Sequence, residues 1–146
     1  MKRLLLLAMV LVSLLPSTPS AAATGCGAHA DSLFAKASTD YQAGRYIYTS
    51  ADMQEAATSY YACAQHAKAA GAPAKQASYS YFYGESLYVA GEAEAKLHHN
   101  VKVKELWSAG LDALRPLQKS KYLSASQRAL SVHAVNVMTP VVKILS

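Results

Sequence analysis

The sequence predicts an all-α protein made of two antiparallel helical hairpins followed by a C-terminal helix. Three segments, which begin at Met53, Tyr79 and Val103, carry mostly apolar residues at the same offsets of 0, 3, 4, 7, 8 and 11. These offsets place the residues along one face of an α-helix. The alternation of Tyr79, Tyr81 and Tyr83 also fits a strand, but it lasts five residues whereas the helical stripe lasts twelve. The longer period therefore favours a helix.

The first hairpin is expected to end at Gly71, which occupies the position of a left-handed C-cap. Its first helix fits the same template with one polar position, and Gly44 is expected to end that helix. Asp52, with Glu55 three residues later, resembles a capping box, so the second helix is expected to begin there. Residues 47–54 are accordingly interpreted as an insertion between the two helices.

The second hairpin is expected to start at Pro73, because proline suits the first turn of a helix. Gly91 is expected to end this third helix. Glu92 and Glu94 are then interpreted as solvent-exposed acids at a helix start, where they complement the helix dipole. The His-His-Asn segment at residues 98–100 is interpreted as a polar break before the fourth helix.

A polar linker over residues 115–124 is expected before the last helix, which begins near Leu123. Pro140 lacks the amide hydrogen that a helix interior requires, so it is expected to kink or end this helix near Met138.

The N-terminus has the three parts of a cleaved signal peptide. Two basic residues precede the 12-residue apolar run Leu4–Leu15, and small residues follow as far as Ala23. The run is shorter than the roughly 20 residues that span a membrane. We therefore expect residues 1–23 to be removed. Residues 24–146 then form a single domain, periplasmic or secreted and without a transmembrane span.

Cys26 and Cys63 are the two cysteines of the chain. An exported chain enters an oxidising compartment, where an even number of cysteines favours disulfide formation. We expect a Cys26–Cys63 disulfide. The alternative is a lipoprotein anchored through Cys26, because Gly25 directly before it resembles a lipid-attachment site. Ten residues separate Leu15 from Cys26, however, which is a poor match to that pattern.

Charge is distributed unevenly after the signal peptide. Residues 24–95 carry four basic and seven acidic side chains, whereas residues 96–146 carry eight basic and two acidic ones. Such a basic half can attract polyanions or membrane surfaces. Its lysines are loosely spaced, however, and no nucleic-acid-binding motif is present. We interpret the asymmetry as a dipolar surface that keeps the protein soluble, and we expect no nucleic-acid partner.

The sequence offers little for catalysis. It contains no G-x-S-x-G, H-E-x-x-H or Gly-rich phosphate-binding motif. His98 and His99 are adjacent and would diverge by about 100° on a helix. Cys63 and His66 have a spacing suited to metal ligands, but Cys63 is better assigned to the disulfide. We expect no enzyme activity, no metal site and no other cofactor.

An internal repeat links the two hairpins. Residues 37–44 and 84–91 both read small-x-x-x-Tyr-x-Ala-Gly, 47 residues apart. The pattern resembles the tetratricopeptide repeat, in which a small residue packs between paired helices and an aromatic residue precedes a Gly turn. The matching residues are Ala37, Tyr41 and Gly44 in the first unit, and Gly84, Tyr88 and Gly91 in the second. The resemblance implies stacked hairpins, although the family repeats every 34 residues or so. A plain helical bundle is the alternative.

Tyrosine is in marked excess, with ten copies against two Phe and one Trp. Tyr is enriched at protein interfaces because it combines a large apolar ring with a polar hydroxyl. Four tyrosines lie on the apolar stripes and are expected in the core: Tyr60, Tyr61, Tyr79 and Tyr83. Four others lie off the stripes and are the predicted ligand- or partner-binding residues: Tyr46, Tyr48, Tyr81 and Tyr88. The alternative for Tyr88 is burial against a neighbouring helix, as the repeat resemblance implies.

Two functions fit these observations. The first is an exported, non-catalytic helical-repeat protein that binds a protein or peptide through a groove. The alternative is a carrier that encloses a small apolar ligand or lipid between its helices. An open groove lined by tyrosines favours the first, and a closed apolar cavity on the order of several hundred Å³ favours the second.

Overall fold

A computed structural model describes residues 25–146, and this part of the chain folds into five α-helices without a strand. The helices are α1 (Ala28–Gln42), α2 (Tyr46–Ala69), α3 (Pro73–Lys96), α4 (Asn100–Leu114) and α5 (Ala125–Leu145), with a short 3₁₀ turn at Arg115–Leu117. The prediction of an all-α protein with two hairpins and a C-terminal helix is confirmed. The predicted signal peptide, residues 1–23, lies outside the described residues.

The helices pack in sequence order, each mainly against its neighbours along the chain. The two hairpins join through α2 and α3, which run antiparallel. At one end of this pair, Ser50 Oγ donates a hydrogen bond to Glu94 at 2.5 Å. At the other end, the rings of Tyr61 and Tyr83 lie 5.2 Å apart. The arrangement places α3 between α2 and α4, and every residue from Gly84 to Glu94 is buried.

The contact between α3 and α4 depends on two buried glycines. A Cβ atom at Gly84 would lie 2.6 Å from the Leu114 side chain, and one at Gly91 would lie 2.1 Å from Trp107 Nε1. The Trp107 indole donates a hydrogen bond to the Tyr88 carbonyl at 2.9 Å. Both glycines therefore admit a large side chain of α4 against the backbone of α3.

The prediction that Gly91 ends the third helix is wrong, because α3 continues to Lys96. Gly91 serves close packing and not a left-handed turn. As a consequence, Glu92 and Glu94 lie buried within α3 and are not solvent-exposed acids at a helix start.

The predicted insertion at residues 47–54 is also wrong, since α2 begins at Tyr46 and includes it. Thr49, Ser50 and Met53 within this segment are buried, so packing extends the helix. Asp52 is not an N-cap and instead pairs with Lys36 of α1.

The observed capping box lies at the start of α5. Ser124 Oγ accepts a hydrogen bond from the Gln127 amide, and the Gln127 side chain accepts one from the Ser124 amide. Pro140 does not end α5, which continues to Leu145. The carbonyl that Pro140 leaves without a helical donor belongs to Asn136, an exposed residue where water can take the bond.

The other predicted helix ends are confirmed. Gly44 and Gly71 adopt left-handed φ values of 74° and 65°. Pro73 opens α3, and α4 begins at Asn100, the last residue of the predicted polar break.

The predicted Cys26–Cys63 disulfide is present, with the two Cα atoms 5.7 Å apart. It fastens the residues before α1 to the last third of α2. Tyr79 of α3 adds a second link, because its hydroxyl donates to the Cys26 carbonyl at 2.7 Å.

Between Gly25 and Ser146, none of the helices has both the length and the apolar composition needed to cross a bilayer.

Candidate binding groove

The four tyrosines predicted to bind a partner do not share a surface. Tyr48 is 61% exposed, and Tyr46 is half-buried with its ring 5.4 Å from that of Tyr41. Tyr81 and Tyr88 are only 2% and 4% exposed. As predicted partner-binding residues off the apolar stripes, Tyr81 and Tyr88 are expected at the surface, and this is wrong because both are buried. The alternative stated for Tyr88, burial against a neighbouring helix, is what the structure shows.

The physical reason is that α3 is covered on more than one side. A single apolar stripe suffices for a helix that packs against one neighbour, but α3 has α2 on one flank and α4 on the other. Tyr88 stacks on Trp107 of α4 at a ring distance of 6.0 Å, and Tyr81 packs edge-on against Phe82 at 5.1 Å. Residues off the first stripe of α3 are therefore buried as well.

A different pair of tyrosines reaches the surface. Tyr61 of α2 is 50% exposed and Tyr83 of α3 is half-buried, although both were expected in the core. They form one wall of a groove of about 280 Å³ that is open to solvent. We call it the tyrosine groove. Its lining residues are Gln54, Ala57, Thr58, Tyr61, Tyr83, Leu87 and Leu106.

The geometry of the tyrosine groove follows from the order of the helices. Four lining residues repeat along one face of α2 at offsets of 0, 3, 4 and 7, starting at Gln54. Leu87, one turn after Tyr83 on α3, and Ala57 are both buried and form the floor. Leu106 of α4 is half-buried and closes the opposite side.

The chemistry of the tyrosine groove suits binding. Its floor is apolar, and its polar groups are the hydroxyls of Tyr61, Tyr83 and Thr58 and the amide of Gln54. Burial raises the pKa of Tyr83, with smaller contributions from the neighbouring Tyr61 and Asp112, so its hydroxyl stays protonated and able to donate. The lining contains no carboxylate, imidazole or thiol that could act in acid–base or nucleophilic chemistry.

One feature of the sequence, a mixed polar and apolar face on α2, indicates the tyrosine groove weakly. Along one face of α2, the polar residues Gln54 and Thr58 alternate with the apolar residues Ala57 and Tyr61. A helix face that mixes polar and apolar residues in this way lies at the margin of a core and not inside it.

Within residues 25–146, the acidic, histidine and cysteine side chains do not gather into any group of three that could hold a metal ion. His99 instead lies 2.6 Å from the buried Glu94.

Comparison of the chain with protein-family models, curated proteins and solved structures finds no match. The resemblance to tetratricopeptide repeats therefore stays a prediction from the sequence.

Proposed function

We propose that this protein is an exported, non-catalytic helical protein that binds a protein or peptide in the tyrosine groove. The observation that carries the proposal is an open groove with an apolar floor and a wall formed by Tyr61 and Tyr83, 5.2 Å apart. The disulfide is consistent with export, as is the signal peptide that the sequence predicts.

The size and openness of the tyrosine groove favour a peptide side chain as the occupant. Sites that bury most of a small ligand usually enclose about 300–1,000 Å³. At about 280 Å³ this groove is at the lower end of that range, and because it is open to solvent it cannot surround its ligand. It can hold one or two apolar side chains of a partner whose backbone stays at the rim.

The groove is also rigid enough to bind without large ordering costs. Its walls belong to three helices that pack against one another, and the disulfide fastens α2 close to Tyr61. A preformed site loses little conformational entropy on binding, and tyrosines are frequent among the residues that dominate interface energies.

A selection from a displayed random peptide library tests the proposal. The wild-type protein would be the bait, and each selected peptide would be measured against Tyr61→Ala and Tyr48→Ala variants by fluorescence anisotropy. Both residues are at least half exposed, so neither change should unfold the protein. Tyr48 lies outside the groove and is the most exposed of the four tyrosines that the sequence predicts to bind a partner.

We expect Tyr61→Ala to weaken peptide binding about 30-fold, the effect of losing roughly 2 kcal/mol at a central interface residue. We expect Tyr48→Ala to bind as the wild type does. Selected peptides that tolerate Tyr61→Ala, or a selection that yields no specific peptide, would contradict the proposal. Sensitivity to Tyr48→Ala alone would move the site to the start of α2.

A further inference from the structure

Three glutamates are buried on α3, and they differ in their partners. Glu94 accepts hydrogen bonds from Ser50 at 2.5 Å and approaches His99 at 2.6 Å and Lys102 at 3.7 Å. Burial alone would raise the pKa of Glu94, but the bonds from Ser50 and His99 and the charge of Lys102 hold it below its usual range. Glu94 is therefore a buried carboxylate whose charge is compensated.

Glu92 has no such partners. It is 4% exposed, and both of its carboxyl oxygens lack a hydrogen-bond partner among the described residues. The hydroxyls of Tyr88 and Tyr41 face it, and each is also buried without a partner. The nearest positive charge is Lys96, one turn along α3.

Glu85 lies one heptad earlier and is also buried beside a tyrosine. It is 6% exposed, and the Tyr81 hydroxyl that faces it is buried without a hydrogen-bond partner. The hydroxyl of the neighbouring Tyr60, on α2, donates its hydrogen bond to Asp31 at 2.5 Å and therefore not to Glu85. On α4, Leu114 and Ala113 lie nearest to Gly84, and the carboxylate of Asp112 acts on the neighbouring Tyr83. None of these residues supplies a positive charge to Glu85.

The two arrangements share a sequence motif. Residues 81–85 and 88–92 both read Tyr-x-x-Gly-Glu. The Tyr and the Glu are four residues apart and lie on one face of the helix. The Gly between them carries the contact with α4 described above. The chain thus builds the same buried pair twice, with a hydroxyl and a carboxyl side by side.

An ionised carboxylate in such a place would destabilise the fold, because a buried charge without a partner loses its hydration and gains nothing in return. A protonated carboxyl is neutral and can donate its hydrogen to a neighbouring tyrosine oxygen. Burial raises the pKa of Glu85 and of Glu92 to about 7, and Tyr81 and Tyr88 lower these values only in part.

We propose that Glu85 and Glu92 are proton-binding residues, which the folded protein holds as neutral carboxylic acids, and that losing these protons loosens the packing of α3 against α2 and α4. The ordinary pKa of a glutamate is about 4.5, and that of the two buried glutamates is about 7. Between these pH values the folded state therefore binds more protons than the unfolded state. Stability therefore falls as the pH rises through this window and levels off above it.

The test is chemical unfolding from pH 5 to pH 8 at constant ionic strength. A double variant combines Glu85→Gln with Glu92→Gln and mimics the protonated pair. The control is Glu105→Gln on the exposed surface of α4. All of them keep the five histidines, so histidine titration cancels in the comparison. Near-ultraviolet circular dichroism of the buried tyrosines would report the packing.

As the pH increases from 5 to 8, we expect the equilibrium constant for unfolding of the wild type to rise. The rise should be about tenfold for each pH unit by which the pKa of a buried carboxyl exceeds its ordinary value. The double variant should show no such rise and should be the more stable protein at pH 8. The wild-type tyrosine signal should weaken between pH 6 and pH 8, while that of the double variant should not. Glu105→Gln should follow the wild type. A double variant with the wild-type slope would overturn the proposal.

A second measurement covers the case in which the double variant does not fold. Carbon-13 spectra of wild-type protein labelled at the glutamate carboxyls would be recorded from pH 4 to pH 8. Two buried carboxyls should remain protonated at pH 6 while the exposed ones are ionised. If every carboxyl titrates close to its ordinary value, Glu85 and Glu92 do not hold protons in the folded protein.

Discussion

Replacing Gly91 with alanine should destabilise the protein, although alanine is the better helix former. The added Cβ would lie 2.1 Å from Trp107 Nε1 and 2.2 Å from its Cδ1, well inside van der Waals contact. The indole is 5% exposed and rigid, so it cannot turn aside without opening the interface between α3 and α4. The hydrogen bond from Trp107 to the Tyr88 carbonyl would be lost as the ring moves.

The opposing effects can be compared in size. Alanine in place of glycine favours a helix by about 1 kcal/mol. Overpacking a core costs about 1–3 kcal/mol, and the lost hydrogen bond removes about 1 kcal/mol more. The net result is a destabilisation of about 1–3 kcal/mol, which lowers Tm by roughly 4 °C for each kcal/mol.

The matched control is Gly110→Ala on α4. There the added Cβ would lie 3.2 Å from the sulfur of Met138, a flexible side chain, so stability should be unchanged or slightly raised. Unfolding in urea would be followed by tryptophan emission, because Trp107 is the single tryptophan of the chain. A Gly91→Ala variant that is as stable as Gly110→Ala, with unchanged emission, would refute the close approach of Trp107 to α3.

Three further predictions concern stability. Cys63→Ser should destabilise the protein by up to about 4 kcal/mol, the chain-entropy value for a loop of 37 residues, and reduction of the wild type should give the same Tm. Glu94→Gln should lower the free energy of unfolding by about 1–3 kcal/mol at pH 7, and Glu105→Gln should leave it almost unchanged. Because the pKa of Glu94 is lowered in the folded protein, the stability difference between wild type and Glu94→Gln should be complete at pH values above the ordinary glutamate pKa. It should disappear as the pH falls through the lowered pKa of the folded state. A stability difference that does not change with pH would refute the pairing of Glu94. Ser124→Ala should cost about 1 kcal/mol by removing the capping box before α5, and an unchanged Tm would show that the box does not stabilise the helix.

The sequence was sufficient for what depends on local periodicity and covalent chemistry. The helical stripes predicted the helices, and the two cysteines that follow a predicted signal peptide predicted the disulfide. Gly44, Gly71 and Pro73 marked helix ends because the backbone there needs a left-handed or proline conformation.

The wrong predictions for α3 have one physical origin, which is that this helix is buried on several sides. A glycine that admits Trp107 looks in the sequence like a glycine that ends a helix, so Gly91 was misassigned. Glutamates next to that apparent end were then expected in solvent, whereas Glu92 is buried. The exposure of Tyr61 likewise depends on how far α4 covers α2 and α3, and periodicity within one helix carries no information about a third helix.

The central claim, that a peptide binds in the tyrosine groove, is tested most directly by amide chemical-shift mapping. Isotope-labelled wild-type protein would be titrated with a peptide from the library selection, and Tyr61→Ala would be titrated in parallel. We expect the largest shifts at residues 54–61 of α2, around Tyr83 and Leu87, and at Leu106, and we expect them to be much reduced in the variant. Shifts centred on another face, with the amides of the groove unchanged, would contradict the claim.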